Sequence, residues 1–216
     1  MNPEFWHERW YKNEIAFHQH QANPLLVAYF DQLKLAKGSR IFVPLCGKTL
    51  DIYWLLTQGV EVVGAELSEL AVTQLFAALD IEPKITQMGS IQLYSADSIA
   101  IYQGDIFKLS KKSIGSIDGI YDRAALVALP YAMRQAYTQH LITITQAAPQ
   151  LLLTFEYDQA QMNGPPFSVA AQEVSQHYAQ SYKLVLLATN NVVGGLKKHC
   201  DAKENLWLLT YRSLEK

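Results

Sequence analysis

Three features of the sequence predict an α/β fold with a mostly parallel sheet flanked by helices. Apolar, β-branched runs alternate with amphipathic stretches from Arg40 to Phe155, the rhythm of repeated βαβ units. The first run breaks at Pro44-Leu45-Cys46-Gly47, and the second ends at a lone acid, Glu66. The chain closes with two strands separated only by the loop Asn190 to Asn205, and such strands pair antiparallel, because parallel neighbours need a long crossover. The expected layout is a seven-stranded, mostly parallel sheet with an antiparallel terminal strand.

The elements follow in order. Pro24 suits the first turn of a helix that carries Leu25, Leu26, Tyr29, Phe30 and Leu33, and Lys37-Gly38-Ser39 ends it before a strand from Arg40 to Pro44. Thr49 caps a helix to about Gln58, Gly59 stops it, and Val60 to Ala65 reads as a fully buried strand. A helix capped by Ser68 runs to Leu79. Ile91 to Tyr94 and Ile99 to Tyr102, joined by a polar turn, read as a small antiparallel insertion that leads to Gly104-Asp105-Ile106-Phe107. Ile117 to Tyr121 is a strand, the stretch after Pro130 an amphipathic helix, and Leu151 to Phe155 a strand. Gly164-Pro165-Pro166-Phe167 forces a loop, Ser168 to Ala179 is a helix, and Tyr182 to Ala188 and Leu206 to Tyr211 are the closing strands.

With 216 residues, half of them hydrophobic, and no internal linker, one domain spanning 1–216 is expected. Eighteen basic against twenty acidic residues, with no Lys/Arg block, lack the footprint of a nucleic-acid binder and point to a small-molecule partner. No long apolar run suits a membrane span, and the N-terminus lacks a signal-peptide core. Cys46 and Cys200 are the only cysteines and have neither disulfide-framework nor zinc spacing, which fits the cytoplasm. His18, His20, His140, His177 and His199 show no metal spacing apart from His18-x-His20, which is too little for a site, so no metal is expected. A monomer suffices.

A glycine-bearing turn after one strand, with a carboxylate about 20 residues on, is how an α/β sheet holds an adenosine. Gly47-Lys48-Thr49 resembles the end of a phosphate loop, but that motif needs a glycine where Phe42 stands. The dinucleotide fingerprint is also missing, since Gly47 is alone. Glu66 at the end of the second strand suits ribose hydroxyls, and capping of the next helix is its plain alternative. Asp105 can meet an adenine edge or simply form a turn. Arg123, after Asp122 at another strand end, can hold a carboxylate or sit in an internal ion pair. Trp6 and Trp10 share one helical face, and the aperiodic stretch around Phe17 after them can hinge a flap, residues 1–24, over a flat ring.

WxxxWxxxxxAFHQ at Trp6 to Gln19, FVPLCGK at Phe42 to Lys48, VVGAELSE at Val62 to Glu69, DRAALVAL at Asp122 to Leu129 and GPPF at Gly164 to Phe167 together resemble the thiopurine S-methyltransferase family, in its order and over most of the chain. The resemblance implies a class I methyltransferase fold, S-adenosylmethionine as cofactor, and a small-molecule thiol acceptor, aromatic or heterocyclic. Some bacterial relatives also act on selenium and tellurium compounds. It further implies that Trp10, Leu45, Glu66, Asp105, Ile106 and Arg123 bind the cofactor, with Glu66 on the ribose and Asp105 and Ile106 on the adenine side. Phe17, Arg123 and Phe167 would border the acceptor. The family often has Ser in place of Asp105, and many relatives have Gly in place of Ala124.

The implied reaction is a direct displacement at the methyl carbon by a sulfur nucleophile. Heteroaromatic thiols ionise near neutral pH, so no general base is assigned; Arg123 is a thiolate stabiliser, oriented by Asp122. Two rivals remain: a nucleotide-dependent oxidoreductase, against which the lone Gly47 stands, and a catalytically idle binding module.

Overall fold

The computed structural model describes residues 3–15, 18–198 and 200–212; Phe17 and His199 lie outside the described residues. The chain divides into two compact units, Met1–Gly119 and Ile120–Lys216.

In the first unit, helix α1 (Pro3–Tyr11) precedes α2 (Pro24–Tyr29). Asn23 caps α2 by accepting from the N–H groups of Leu25 and Leu26, and Pro24 occupies its first turn as expected. The helix expected to run toward Lys37 instead tightens into a 3₁₀ turn over Phe30–Leu33, and Lys34, at φ +54°, stops it. A 3₁₀ turn aligns positions i and i+3, so Phe30 and Leu33 both remain buried.

The predicted βαβ unit follows as β1 (Arg40–Val43), α3 (Asp51–Thr57) and β2 (Glu61–Glu66), with β1 and β2 parallel. The Thr49 hydroxyl accepts from the Asp51 N–H at 3.3 Å, at the start of α3. Helix α4 (Glu69–Leu79) is capped by Ser68, whose Oγ accepts from the Ala71 N–H. Then come β3 (Lys84–Met88), β4 (Ile91–Ala96), β5 (Ile99–Gln103) and the short α5 (Lys111–Ile114).

The strand order in this unit is β3-β4-β5-β2-β1. β4 and β5 pair antiparallel as predicted, but they are not an insertion apart from the sheet. β5 also pairs parallel with β2, so it is an integral sheet strand whose carboxyl end lies beside that of β2. β3 was not foreseen: every one of its residues is exposed, so no alternation of burial marks it in the sequence. The inner strands are apolar on both faces, as parallel strands covered by helices must be.

The second unit contains β6 (Gly119–Asp122), α6 (Tyr131–Thr145), β7 (Gln150–Glu156), α7 (Ala171–Tyr178), β8 (Tyr182–Asn191) and β9 (Lys203–Tyr211), in the strand order β6-β7-β9-β8. β6 and β7 are parallel; β8 and β9 form the expected antiparallel hairpin, with β9 also antiparallel to β7. Helix α7 starts three residues later than expected. Ser168 is held outside it by a parallel bridge to Phe155, and its Oγ accepts from the Tyr157 N–H at 3.0 Å. Among the described residues there are nine strands, not seven.

Candidate active site

The carboxyl ends of β1, β2 and β5 meet at one edge of the first unit, the place where parallel sheets open a crevice for ligands. Glu66 ends β2 there with only 6% of its surface exposed. Its Oε2 accepts from the Gly47 N–H at 2.7 Å and its Oε1 from the Ser68 N–H at 2.8 Å. One carboxylate therefore ties the turn after β1 to the start of α4. Burial pushes its carboxyl group above the usual carboxylate range, and the N–H groups of Ser68, Gly47 and Leu67 pull it partly back. In place of the solvated helix cap considered from sequence, Glu66 is a buried group that holds Ser68, the cap residue of α4, by its N–H.

The turn itself is strained where it meets that edge. Leu45 sits at φ +45°, a conformation that costs an L-residue about 1–2 kcal/mol, and Gly47 lies at φ +54°. Gly47 needs to be glycine for a second reason: a Cβ there would lie 3.0 Å from Cζ2 of the Trp10 ring. Trp10, 5% exposed, thus packs against the backbone of the turn. Cys46, between the two left-handed residues, donates its N–H to the Ala65 carbonyl at 3.0 Å. Burial first, and the Glu66 charge second, push its thiol well up, so it stays protonated and inert.

β5 completes the edge. Gly104 donates its N–H to the Glu66 carbonyl at 2.8 Å, and the Gln103 side-chain amide donates to the Leu67 carbonyl at 2.8 Å. Asp105 is exposed and uses its Oδ1 to accept from the Phe107 N–H at 3.0 Å, the turn-forming role, while Ile106 is buried behind it. Beside this edge lies an open cleft of about 480 Å³, bounded by His7 and Tyr11 of α1, the cap residue Ser68 and Leu70 of α4, and Gln103.

In the second unit Arg123 and Ala124 follow the end of β6 and are half-buried. Asp122 is fully buried; its Oδ1 accepts from the Leu126 N–H at 3.1 Å and its Oδ2 from the Tyr137 hydroxyl at 2.7 Å. Those bonds lock the turn after β6 onto α6, and burial pushes the Asp122 carboxyl up to about 6. Ala124 lies at φ +61°, which is the physical reason glycine suits that position. Phe167, next to the prolines of GPPF, donates its N–H to the Val127 carbonyl at 2.6 Å, so GPPF is bound to the DRAALVAL stretch.

A sequence model of the family described as Thiopurine S-methyltransferase (TPMT) matches residues 1–211. The chain belongs to the thiopurine S-methyltransferase family. It is 50% identical over 97% of its length to a thiopurine S-methyltransferase of Xanthobacter autotrophicus, with 99% of that protein covered. A protein of the same description from Teredinibacter turnerae is 52% identical, over 97% of this chain and 98% of that one. Among solved structures, a SAM-dependent methyltransferase from Anabaena variabilis superposes with a TM-score of 0.66 at 12% identity, covering 98% of this chain and 96% of that one. A magnesium protoporphyrin IX methyltransferase from Synechocystis with bound SAH gives 0.64 at 12% identity, covering 97% and 100%. At such identities the likeness is one of fold, and the fold is that of class I S-adenosylmethionine-dependent methyltransferases.

As a thiopurine S-methyltransferase family member the chain needs a place for an adenosyl group, and the first unit's edge fits one. The Trp10 ring packs against Gly47, and a carboxylate offers about four acceptor sites, of which the Gly47 and Ser68 N–H groups take two on Glu66. Of the residues expected from sequence, Trp10, Leu45, Glu66, Asp105 and Ile106 belong to this unit and stand at or next to its carboxyl edge; Arg123 and Phe167 belong to the second unit. Two residues of the edge escaped the sequence reading. Gly64 sits where a Cβ would lie 2.5 Å from Ile101 Cδ1 and 3.1 Å from Cys46 Sγ, and Gln103 buttresses Leu67. Only a hydrophobic run interrupted by glycine hinted at the first, and nothing hinted at the second. Among the described residues no three His, Cys, Asp or Glu side chains converge as metal ligands, and no helix is long and apolar enough to cross a membrane.

Proposed function

We propose that the chain methylates the sulfur of aromatic or heterocyclic thiols, thiopurines among them, at the expense of S-adenosylmethionine. The observation that carries this reading is the buried Glu66 carboxylate at the carboxyl end of β2, bound to the Gly47 N–H of the turn on which the Trp10 ring packs, an arrangement suited to an adenosyl group. Within it Glu66 would take the ribose hydroxyls, Asp105 and Ile106 the adenine side, and Trp10 and Leu45 would contact the cofactor as well. Bound there, S-adenosylmethionine supplies an activated methyl group on a sulfonium, and the transfer needs no acid or base from the protein.

The chain's own residues then align and exclude water. Arg123 would lie near the methionine end of the cofactor and would lower the cost of an acceptor thiolate next to it. Asp122, spent on Leu126 and Tyr137, fixes the backbone that carries Arg123. Phe167 would border the acceptor ring, and Phe17, which lies outside the described residues, would be the residue through which an N-terminal flap acts on it. Cys46 does not compete as a nucleophile, because burial keeps its thiol protonated.

The family match runs through both units, which supports reading 1–216 as one methyltransferase domain. A cytoplasmic monomer is the proposed working form; Cys46 and Cys200 are both free and buried, as suits a reducing compartment.

Calorimetric titration with S-adenosylhomocysteine tests the reading first, with micromolar binding expected. Absence of binding overturns it. Incubation with S-adenosylmethionine and 6-mercaptopurine should then yield the S-methyl product; binding without methylation would favour the idle binding module instead. Phe17→Ala is expected to weaken acceptor binding and spare cofactor binding.

A further inference from the structure

Arg134 lies on α6, outside every motif singled out in the sequence, yet it is among the most engaged charges of the second unit. It is 5% exposed, and its guanidinium forms a fork with Glu173 of α7, Nε to Oε1 at 2.5 Å and Nη2 to Oε2 at 3.0 Å. Its Nη1 donates to the Leu129 carbonyl, the last residue of DRAALVAL, at 2.9 Å. His177 Nε2 lies 3.1 Å from the same Glu173 Oε1 and joins the cluster. The flat guanidinium also stands 5.5 Å from the centroid of the Tyr131 ring and 5.8 Å from that of Phe167. Arg134, Tyr131 and Phe167 share the wall of an open cavity of about 300 Å³, large enough for a bicyclic heterocycle.

A buried ion pair is a poor device for stability alone, because desolvation of both charges opposes their attraction and apolar residues often do as well. What this pair supplies is orientation. One planar group, clamped by Glu173, holds the end of DRAALVAL through Leu129 and the ring of GPPF through its face. Phe167 is fixed from the other side by its N–H bond to Val127. We infer that Arg134, held by Glu173, is the positioning residue that sets the Phe167 ring as a wall for the acceptor's heterocycle. This rests on the reading above that Phe167 borders the acceptor. Arg134 is not a catalytic residue here: its nitrogens serve Glu173 and Leu129, and its effect passes through Phe167.

The test is steady-state kinetics with 6-mercaptopurine, alongside calorimetry with S-adenosylhomocysteine, on the full chain. Arg134→Lys keeps the charge but loses the fork and the flat face, and should raise the acceptor KM about tenfold while kcat and the Kd for S-adenosylhomocysteine change far less. Phe167→Ala should raise KM by itself, and adding Arg134→Lys to it should raise KM little further, because both act on one contact. If Arg134→Lys does not fold, Glu173→Gln, which loosens the same fork at constant volume, is read in the same way. Proportionate changes in kcat, KM and Kd, an unchanged KM, or increments that multiply in the double variant would each overturn the inference. An unchanged KM in Phe167→Ala alone would instead show that the acceptor does not touch Phe167, and the positioning role would fall with it, while a positive S-methylation assay would stand.

Discussion

Replacing Glu66 by Gln separates the two things this side chain does. In the fold its two oxygens accept the Gly47 and Ser68 N–H groups at 2.7 and 2.8 Å. A glutamine has one acceptor oxygen, so one of those buried N–H groups loses its partner, at a cost of about 1–3 kcal/mol. The same change removes a buried charge, and burial is the largest influence on Glu66, outweighing the backbone bonds. The two effects oppose, so the expected net change in stability is under about 1 kcal/mol, or less than about 4 °C in Tm for a chain of this size. Nothing offsets the loss on the ligand side. A hydrogen bond to a charged group is worth about 1.5–3 kcal/mol, so the Kd for S-adenosylhomocysteine should rise roughly tenfold to a hundredfold. Calorimetric titration gives the affinity, and scanning calorimetry of the same samples gives the stability. A Kd within twofold of the parent chain would refute the ribose assignment and leave Glu66 as an anchor for the turn alone.

Asp122, pushed up to about 6 by burial, gives a pH signature of defined sign. An unfolded aspartate titrates near 3.9, so between about 4 and 6 the folded state binds more protons and stability falls as pH rises; the loss is complete above the folded value, at about 3 kcal/mol. Asp122→Asn should erase this component, so that denaturant-derived stability of the parent falls relative to the variant by about 1 kcal/mol from pH 5 to 7.5; a difference of the opposite sign would contradict the buried-carboxylate picture. Ala124→Gly relieves the φ of +61° and should stabilise by roughly 0.5–1 kcal/mol, read as a higher midpoint of denaturation, whereas a lower one would mean that the methyl group packs usefully. Gly47→Ala meets both a φ of +54° and the Trp10 ring, so a loss of about 1–2 kcal/mol of stability should accompany weaker S-adenosylhomocysteine binding, and tryptophan fluorescence should shift as Trp10 moves. Unchanged fluorescence together with unchanged affinity would detach Trp10 from the turn.

What the sequence determined by itself was local in origin. Pro24 at the start of α2, Ser68 as the cap of α4, and the apolar runs of β1, β2 and β7 each follow from a few neighbouring residues and their hydrogen-bonding or steric habits. The strand-end positions of Gly47, Glu66 and Arg123 were legible to the same extent, because periodicity marks strand ends, whereas Leu45 was singled out by the family resemblance alone. Exposed β3 left no trace, since a strand without a buried face has no alternation to read. The tertiary structure alone decided the partners. Glu66 meets a Gly47 N–H 19 residues away, Trp10 comes down on that same glycine, and Arg134 forks with a Glu173 39 residues away. Such pairings depend on which strand lies beside which, and on how closely a ring can approach a backbone without a Cβ. Both are properties of the packed chain and of no single stretch of it.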